Sequence, residues 1–264
     1  MKGGPITART EEERLLAAQT LDRAERAQRT GCVTASKFLT PAEAAFVAQL
    51  ARTEGLTVVF DGGRPNTERQ VALFPPDWLD ADAPETWIAE ESPVTVLRFR
   101  TAGGEELGHR DYLGALMAAG IRRDAVGDID VHGAEAYFFC LADMAPYLMQ
   151  NVTRAGRARL TCEEVSRDAV PPPEAEDAEE LHATVGSLRL DAVAAAAFRI
   201  SREDAKSAIL QGLCSVNHLP AEKPDADVEE GDLLALRGKG RARLSAVRGE
   251  TRKGRVAITV LRYR

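Results

Sequence analysis

Residues 188–217 read LRLDAVAAAAFRISREDAKSAILQGLCSVN, and this stretch decides the fold of the C-terminal third. Asp191 to Phe198 is alanine-rich and apolar, which predicts a short helix. Ser201 is an N-cap ahead of Arg202-Glu203-Asp204, and Gly212 stops the second helix. Within that helix Arg202 and Lys206 lie four apart, on one stripe beside Ala205, Ala208 and Ile209. Two cations on one rigid face can bridge successive phosphates. Short strands are expected next, over 215–218, 233–237, 242–247 and 256–262.

Downstream, Arg237, Lys239, Arg241 and Arg243 recur at every second residue, so on a strand they share one face. Gly238 and Gly240 between them let a backbone approach closely. Thr251-Arg252-Lys253-Gly254-Arg255 predicts a basic hairpin tip. Residues 236–264 carry 10 basic residues against one acid, Glu250. Residues 181–264 hold 15 Lys+Arg and 10 Asp+Glu, whereas residues 1–180 hold 19 and 31. The whole-chain net charge of -7 conceals this segregation. One end is built to meet polyanions. It offers few aromatics for base stacking, Tyr263 being the one candidate. Structured RNA read through backbone and shape therefore fits best.

Upstream, Pro171-Pro172-Pro173 and the acidic run 174–180 read as an exposed spacer. A second Pro- and Asp-rich break runs from Pro75 to Pro84. The expected division is a mainly helical part over 1–83, a middle α/β domain over 84–168, a linker over 169–182 and a basic domain over 183–264. Thr10 with Glu13 is a capping box ahead of a helix to about Arg29. Thr40-Pro41-Ala42-Glu43 is a second, leading to a stop at Gly55. A strand over 56–60 and a turn at Asp61-Gly62-Gly63 follow. The middle segment alternates strand 94–100, helix 112–119, strand 136–141, helix 143–153 and strand 159–165. A small sheet with helices on one face is the natural packing.

Several function classes drop out. No apolar run is long enough to span a membrane and the start lacks a secretory core, so a cytoplasmic protein is expected. Cys32, Cys140, Cys162 and Cys214 are far apart, which argues for reduced, buried thiols rather than disulfides. The four histidines have no metal-ligand spacing, so neither a metal nor a cofactor is expected. Gly238-Lys239-Gly240 lacks the spacing of a phosphate loop. His109-Arg110-Asp111 imitates a kinase catalytic loop, but Leu116 stands where the kinase asparagine belongs. Arg189-Leu190-Asp191 imitates a pseudouridine synthase triplet without the large catalytic domain that should follow it.

The motifs Leu188-Arg189-Leu190-Asp191, Ile200 to Lys206, Ile209 to Gly212, Val216-Asn217 and Glu230-Gly231-Asp232 resemble the RNA-binding domain named after ribosomal small-subunit protein S-four. With Arg237 to Arg241 and Thr251 to Arg255, the chain is similar to the bacterial YlmH family. Lys37 to Glu43, Gly62-Gly63-Arg64-Pro65, Glu68-Arg69, His109 to Gly114, Gly120 to Arg123, Gly127-Asp128-Ile129, Asn151 and Gly156-Arg157 resemble that family's other motifs. There are two departures. His218 stands where Gly usually follows the asparagine, and Ala242 where a larger apolar residue is usual.

The resemblance implies an α+β protein with a helical N-terminal part, a middle domain like an RNA-recognition motif, and the S-four-like domain last. It implies a non-enzymatic, ribosome-associated protein that binds ribosomal RNA and tRNA on the large subunit, in quality control of stalled nascent chains. The residues expected to contact RNA are Arg189, Ser201, Arg202, Lys206, Gln211, Asn217, Arg237, Lys239, Arg241, Arg243, Arg252, Lys253 and Arg255. A secondary contact is expected from His109, Arg110, Arg122 and Arg123. Two readings compete. One is an RNA-modifying enzyme of pseudouridine synthase or methyltransferase type, with Asp111 and Asp128 as the acids to test. The other is a cell-division adaptor whose acidic N-terminal half binds a protein partner.

Overall fold

Thr10 and Thr40 each begin a helix in the computed structural model. It describes residue 8, residues 10–172, residues 178–250 (the Glu250 side chain apart) and residues 254–263. The chain divides into two compact units, residues 5–173 and residues 174–264.

In the N-terminal unit, α1 (Glu11–Thr30) and α2 (Pro41–Glu54) are held by the expected capping boxes, and each ends at a left-handed glycine, Gly31 and Gly55. They pack on a three-stranded sheet of β1 (Thr34–Ala35), β2 (Val59–Asp61) and β3 (Val71–Phe74), in the order β1-β3-β2. The mainly helical reading of residues 1–83 therefore needs this sheet added. β3 is buried along its whole length, because α1 and α2 cover one face and the rest of the unit covers the other. A buried run of that length has no period to betray it.

After the short α3 (Ile88–Glu91) the chain runs β4 (Val94–Thr101), α4 (His109–Ala118), β5 (Val126–His132), β6 (Glu135–Leu141) and α5 (Ala145–Asn151). A hairpin of β7 (Arg154–Ala155) and β8 (Ala158–Val165) completes this part, and the sheet order is β5-β6-β4-β8-β7. Setting β7 aside, this is the split β-α-β-β-α-β arrangement. α4 and α5 cover one face, where Leu97, Phe99 and Phe138 meet Tyr112, Leu116 and Leu148. On the other face Val94, Val96, Tyr137 and Phe139 pack against Phe38, Leu73 and Trp87. Residues on both sides of position 83 thus share one core, and the proline-rich break lies within a continuous unit.

In the C-terminal unit, β9 (Ala178–Val185), α6 (Leu190–Phe198), α7 (Arg202–Leu210), β10 (Cys214–Val216), β11 (Leu219–Pro220), β12 (Leu233–Leu236), β13 (Gly240–Glu250) and β14 (Val256–Tyr263) follow. The antiparallel sheet has the order β11-β10-β12-β13-β14-β9 and packs against both helices. β9 corrects the linker boundary, because Glu179 and Glu180 pair with Arg262 and Leu261 of β14. Leu181, Ala183 and Val185 face the core while Glu180, His182 and Thr184 face out. That alternation was hidden by the acidic run before it. The strand expected over 215–218 stops at Val216, since Asn217 and His218 both take positive φ, 48° and 66°. They make the two-residue turn of the β10–β11 hairpin. Ala242 is fully buried beneath α6 and α7, as its inward register requires.

Candidate nucleic-acid interface

The site is built on α6 and α7. Asp191 lies in the first turn of α6 with its side chain 5% exposed, between Arg189 and Arg202 at 41% and 57%. Arg189 donates to the carboxylate at 3.2 and 3.3 Å, and Arg202 at 3.1 and 3.2 Å. Burial pushes the Asp191 carboxyl up, but Arg202 and Arg189 more than reverse this and hold it below the usual range. The two arginines share one buried anion, so the trio presents one net positive charge. Of the two α7 cations expected to bridge phosphates, Arg202 keeps 57% of its side chain exposed but shares this anion. Arg202 is tied to the core, and Lys206 alone of the two is exposed without an acid among the described residues. Ser201 is likewise occupied. Its hydroxyl accepts the Asp204 N–H at 3.0 Å and donates to the Asp204 carboxylate at 2.7 Å. At the other end of α7, exposed Gln211 donates to Ser207 at 3.0 Å.

Asn217 locks the turn in which it stands. Its side-chain oxygen accepts the Leu233 N–H at 2.9 Å, and its amide donates to Asp232 at 2.7 Å. Asp232 also accepts the Glu229 N–H at 2.9 Å. The two short motifs around Asn217 and Asp232 are thus halves of one joint.

The four alternating cations do not share a single face. β12 ends at Leu236 and β13 begins at Gly240, so Arg237 and Lys239 stand on the turn between them. The Gly238 and Gly240 φ values of 80° and 94° are what bend the chain there. Both cations are exposed, and neither meets an acid among the described residues. The Arg237 N–H donates to the Leu213 carbonyl at 2.9 Å, which pins this turn beside the end of α7. Arg241 and Arg243 do share the outer face of β13. Arg241 lies 5.9 Å from the Tyr263 ring centre, and Arg243 donates to the Tyr263 hydroxyl at 3.3 Å and the Gly231 carbonyl at 3.1 Å. Tyr263 thus props up the arginines. Arg255 donates to the Thr184 carbonyl at 2.7 Å. Arg252 and Lys253 lie outside the described residues.

The N-terminal unit treats its named residues differently. His109 and Arg110 are exposed at the start of α4, while Asp111 caps that helix by accepting the Gly108 N–H at 2.9 Å. Arg122 pairs with Asp124 at 2.8 Å, and Lys37 reaches the same carboxylate at 3.2 Å. Arg123 is half-buried and donates to the carbonyls of Val126 and Gly127 at 2.8 and 2.6 Å. Burial, with the Arg69 charge beside it, lowers its pKa. It is a structural tie in this loop. Asp128 accepts the N–H groups of Glu68 and Arg69 at 2.7 and 3.0 Å, and burial raises its pKa. Both acids offered for an enzyme reading therefore serve backbone donors.

Gly62 to Pro65 and Gly127 to Ile129 meet at a seam between the two sheets of this unit. Arg64 forks onto Asp130 at 2.7 and 2.9 Å with both side chains largely buried. A Cβ on Gly63 would stand 2.4 Å from Phe139, and one on Gly127 would stand 2.5 Å from Phe38. Arg167 closes the seam on Asp61 at 2.9 Å. The thiols differ as well. Cys140 is buried with its pKa pushed up to about 12, whereas Cys32 is exposed, contrary to the expectation of buried cysteines. No helix among the described residues is long and apolar enough to cross a membrane.

Two family models match the chain. One, described as the N-terminal part of YlmH, matches residues 12–77, and the other, a putative RNA-binding domain in YlmH, matches residues 103–169. The chain is similar to ribosome-associated protein quality control protein P2 of Bacillus subtilis (strain 168), at 30% identity over 256 residues and 96% of each chain. It is also similar to a solved structure named cell division protein ylmH from Streptococcus pneumoniae. That likeness, at 19% identity and TM-score 0.49, covers 64% of this chain and all of that one. With identity of this order running almost end to end, and two family models in register, the chain belongs to the YlmH family.

Proposed function

We propose that this chain is a non-enzymatic RNA-binding protein of the cytoplasm. It docks on ribosomal RNA and tRNA of the large ribosomal subunit and acts in quality control of stalled nascent chains. The observation that carries this reading is the cation set of the C-terminal unit. Lys206, Arg237 and Lys239 are exposed without an acid among the described residues, and Tyr263 holds Arg241 and Arg243 outward. Guanidinium and ammonium groups of this kind neutralise phosphates and release counterions. The named role of the Bacillus subtilis relative and the family description of residues 103–169 support the same reading.

Sedimentation of a lysate through a sucrose gradient tests it, with the wild type beside Lys206→Glu/Arg237→Glu/Lys239→Glu. The wild type should travel with free large subunits and the variant should stay at the top. If about five phosphates are neutralised, log K should fall against log salt with a slope near about -4. A wild type that stays at the top at low salt would overturn ribosome docking.

A further inference from the structure

The sheet of the N-terminal unit has the arrangement in which RNA-recognition domains stack bases on aromatics of the central strands. Here that platform is closed. Tyr137 and Phe139 of β6 lie 3% and 0% exposed beneath Phe38 and Trp87. If this unit meets RNA, it uses another surface.

The β7–β8 hairpin offers such a surface. Ala155, Ala158 and Leu160 point inward, while Arg154, Arg157 and Arg159 are exposed. Arg154 stands directly across the ladder from Arg159, and Gly156 at φ 58° makes the tip beside Arg157. Like charges placed opposite each other on a sheet destabilise it. Neighbouring arginines of the same sheet are neutralised, Arg98 by Glu163 at 2.7 Å and Arg100 by Glu135 at 2.6 Å. Among the described residues no acid reaches any of the three hairpin arginines. We infer that this hairpin is a second phosphate-binding element, gripping the backbone of RNA through three guanidinium groups.

This rests on the RNA-binding reading above but concerns a different unit, so the two can fail separately. The full chain is titrated with ribosomal RNA extracted from large subunits, in a potassium chloride series, followed by ultraviolet cross-linking and peptide mass spectrometry. Wild type, Arg154→Gln/Arg157→Gln/Arg159→Gln and Lys206→Glu/Arg237→Glu/Lys239→Glu are compared. The hairpin variant should bind roughly tenfold or more weakly, with a salt slope shallower by about 2 to 3. Cross-links should fall on the peptide holding residues 154–159. A folded hairpin variant with wild-type affinity and slope overturns the inference and leaves the C-terminal reading standing. A C-terminal variant with full affinity does the reverse. If the triple variant does not fold, Arg157→Gln at the tip is measured in the same way, and an unchanged slope overturns the inference. Binding of poly-glutamate as tight as that of the RNA would also overturn it, in favour of an acidic protein.

Discussion

Arginine does two kinds of work in this chain, and the two units mix them differently. In residues 10–172 several arginines are internal fasteners, while those of the β7–β8 hairpin are exposed. Arg64 holds Asp130, Arg167 holds Asp61, and Arg123 holds two carbonyls. In residues 178–263, Asp191 takes Arg189 and Arg202 and Glu179 takes Arg199, while Arg237, Lys206 and Lys239 are left to solvent. The difference teaches that a motif arginine can be either a fastener or a candidate ligand, according to whether the fold gives it a fixed partner. Buried guanidinium groups need fixed anions because an unpaired buried charge is costly. Exposed ones without anions keep their charge available for a polyanion.

The largest expected effect separates the two classes outright. Reversing Lys206, Arg237 and Lys239 together to Glu should weaken ribosomal RNA binding about a thousandfold, equal to about 4 kcal/mol, and leave the melting temperature unchanged. Filter binding and a thermal melt check both halves. Next, Arg64→Ala should cost about 3 kcal/mol of stability by stranding Asp130, with RNA affinity at fixed folded fraction unaltered. A drop in affinity without a drop in melting temperature would put Arg64 on the wrong side of the divide.

The seam between the two sheets of the N-terminal unit gives a third prediction. Gly127→Ala should cost about 2 kcal/mol, because the new methyl group meets the buried Phe38 ring. Urea denaturation followed by tryptophan emission reports it, since Trp78 and Trp87 are the chain's only tryptophans and both lie in this unit. A wild-type midpoint would mean that the ring moves aside freely.

Acid sharpens the comparison further. The Asp191 carboxyl is held below its ordinary 3.8 in the folded chain. Its stabilisation is therefore complete above about 3.8 and is lost as pH falls from there through the folded value. Asp128 moves the other way. Its raised pKa makes the folded chain the tighter proton binder, so this group favours folding more as pH falls. Asp191→Asn should cost about 1 kcal/mol at neutral pH, since its arginine partners stay half in water. It should also flatten the acid limb of the C-terminal unit's melt by circular dichroism. An unchanged acid limb would show that the shared carboxylate contributes nothing. The smallest effect is at the β10–β11 turn. His218→Gly should gain about 0.5 kcal/mol by relieving a left-handed backbone, and a lower melting temperature would show that the imidazole's contacts outweigh the strain.

Local chemistry was legible wherever neighbours in sequence are also partners. The capping boxes at Thr10 and Thr40 reach three residues forward, and the stop at Gly55 acts on the turn before it. The N-cap at Ser201 behaves the same way. β3 and β9 were not legible, one having no periodicity and the other being masked by acids. Among the site residues, alternation from Arg237 to Arg243 suggested one face, but a turn at Gly238 splits it. The hairpin arginines Arg154 and Arg159 carry a signal, alternation with Ala155, Ala158 and Leu160, that is short enough to pass for an ordinary surface.

By itself the sequence determined the charge segregation, the family motifs and most of the helices. Each of these depends on composition or on contacts a few residues apart. Only the tertiary structure decided which cations are available. Asp191 reaches Arg202 across 11 positions and Arg64 reaches Asp130 across 66. It also decided that the aromatics of β6 lie beneath Phe38 and Trp87. Whether a charge or a ring faces water depends on what the fold packs on top of it, and those covering residues are remote in the chain.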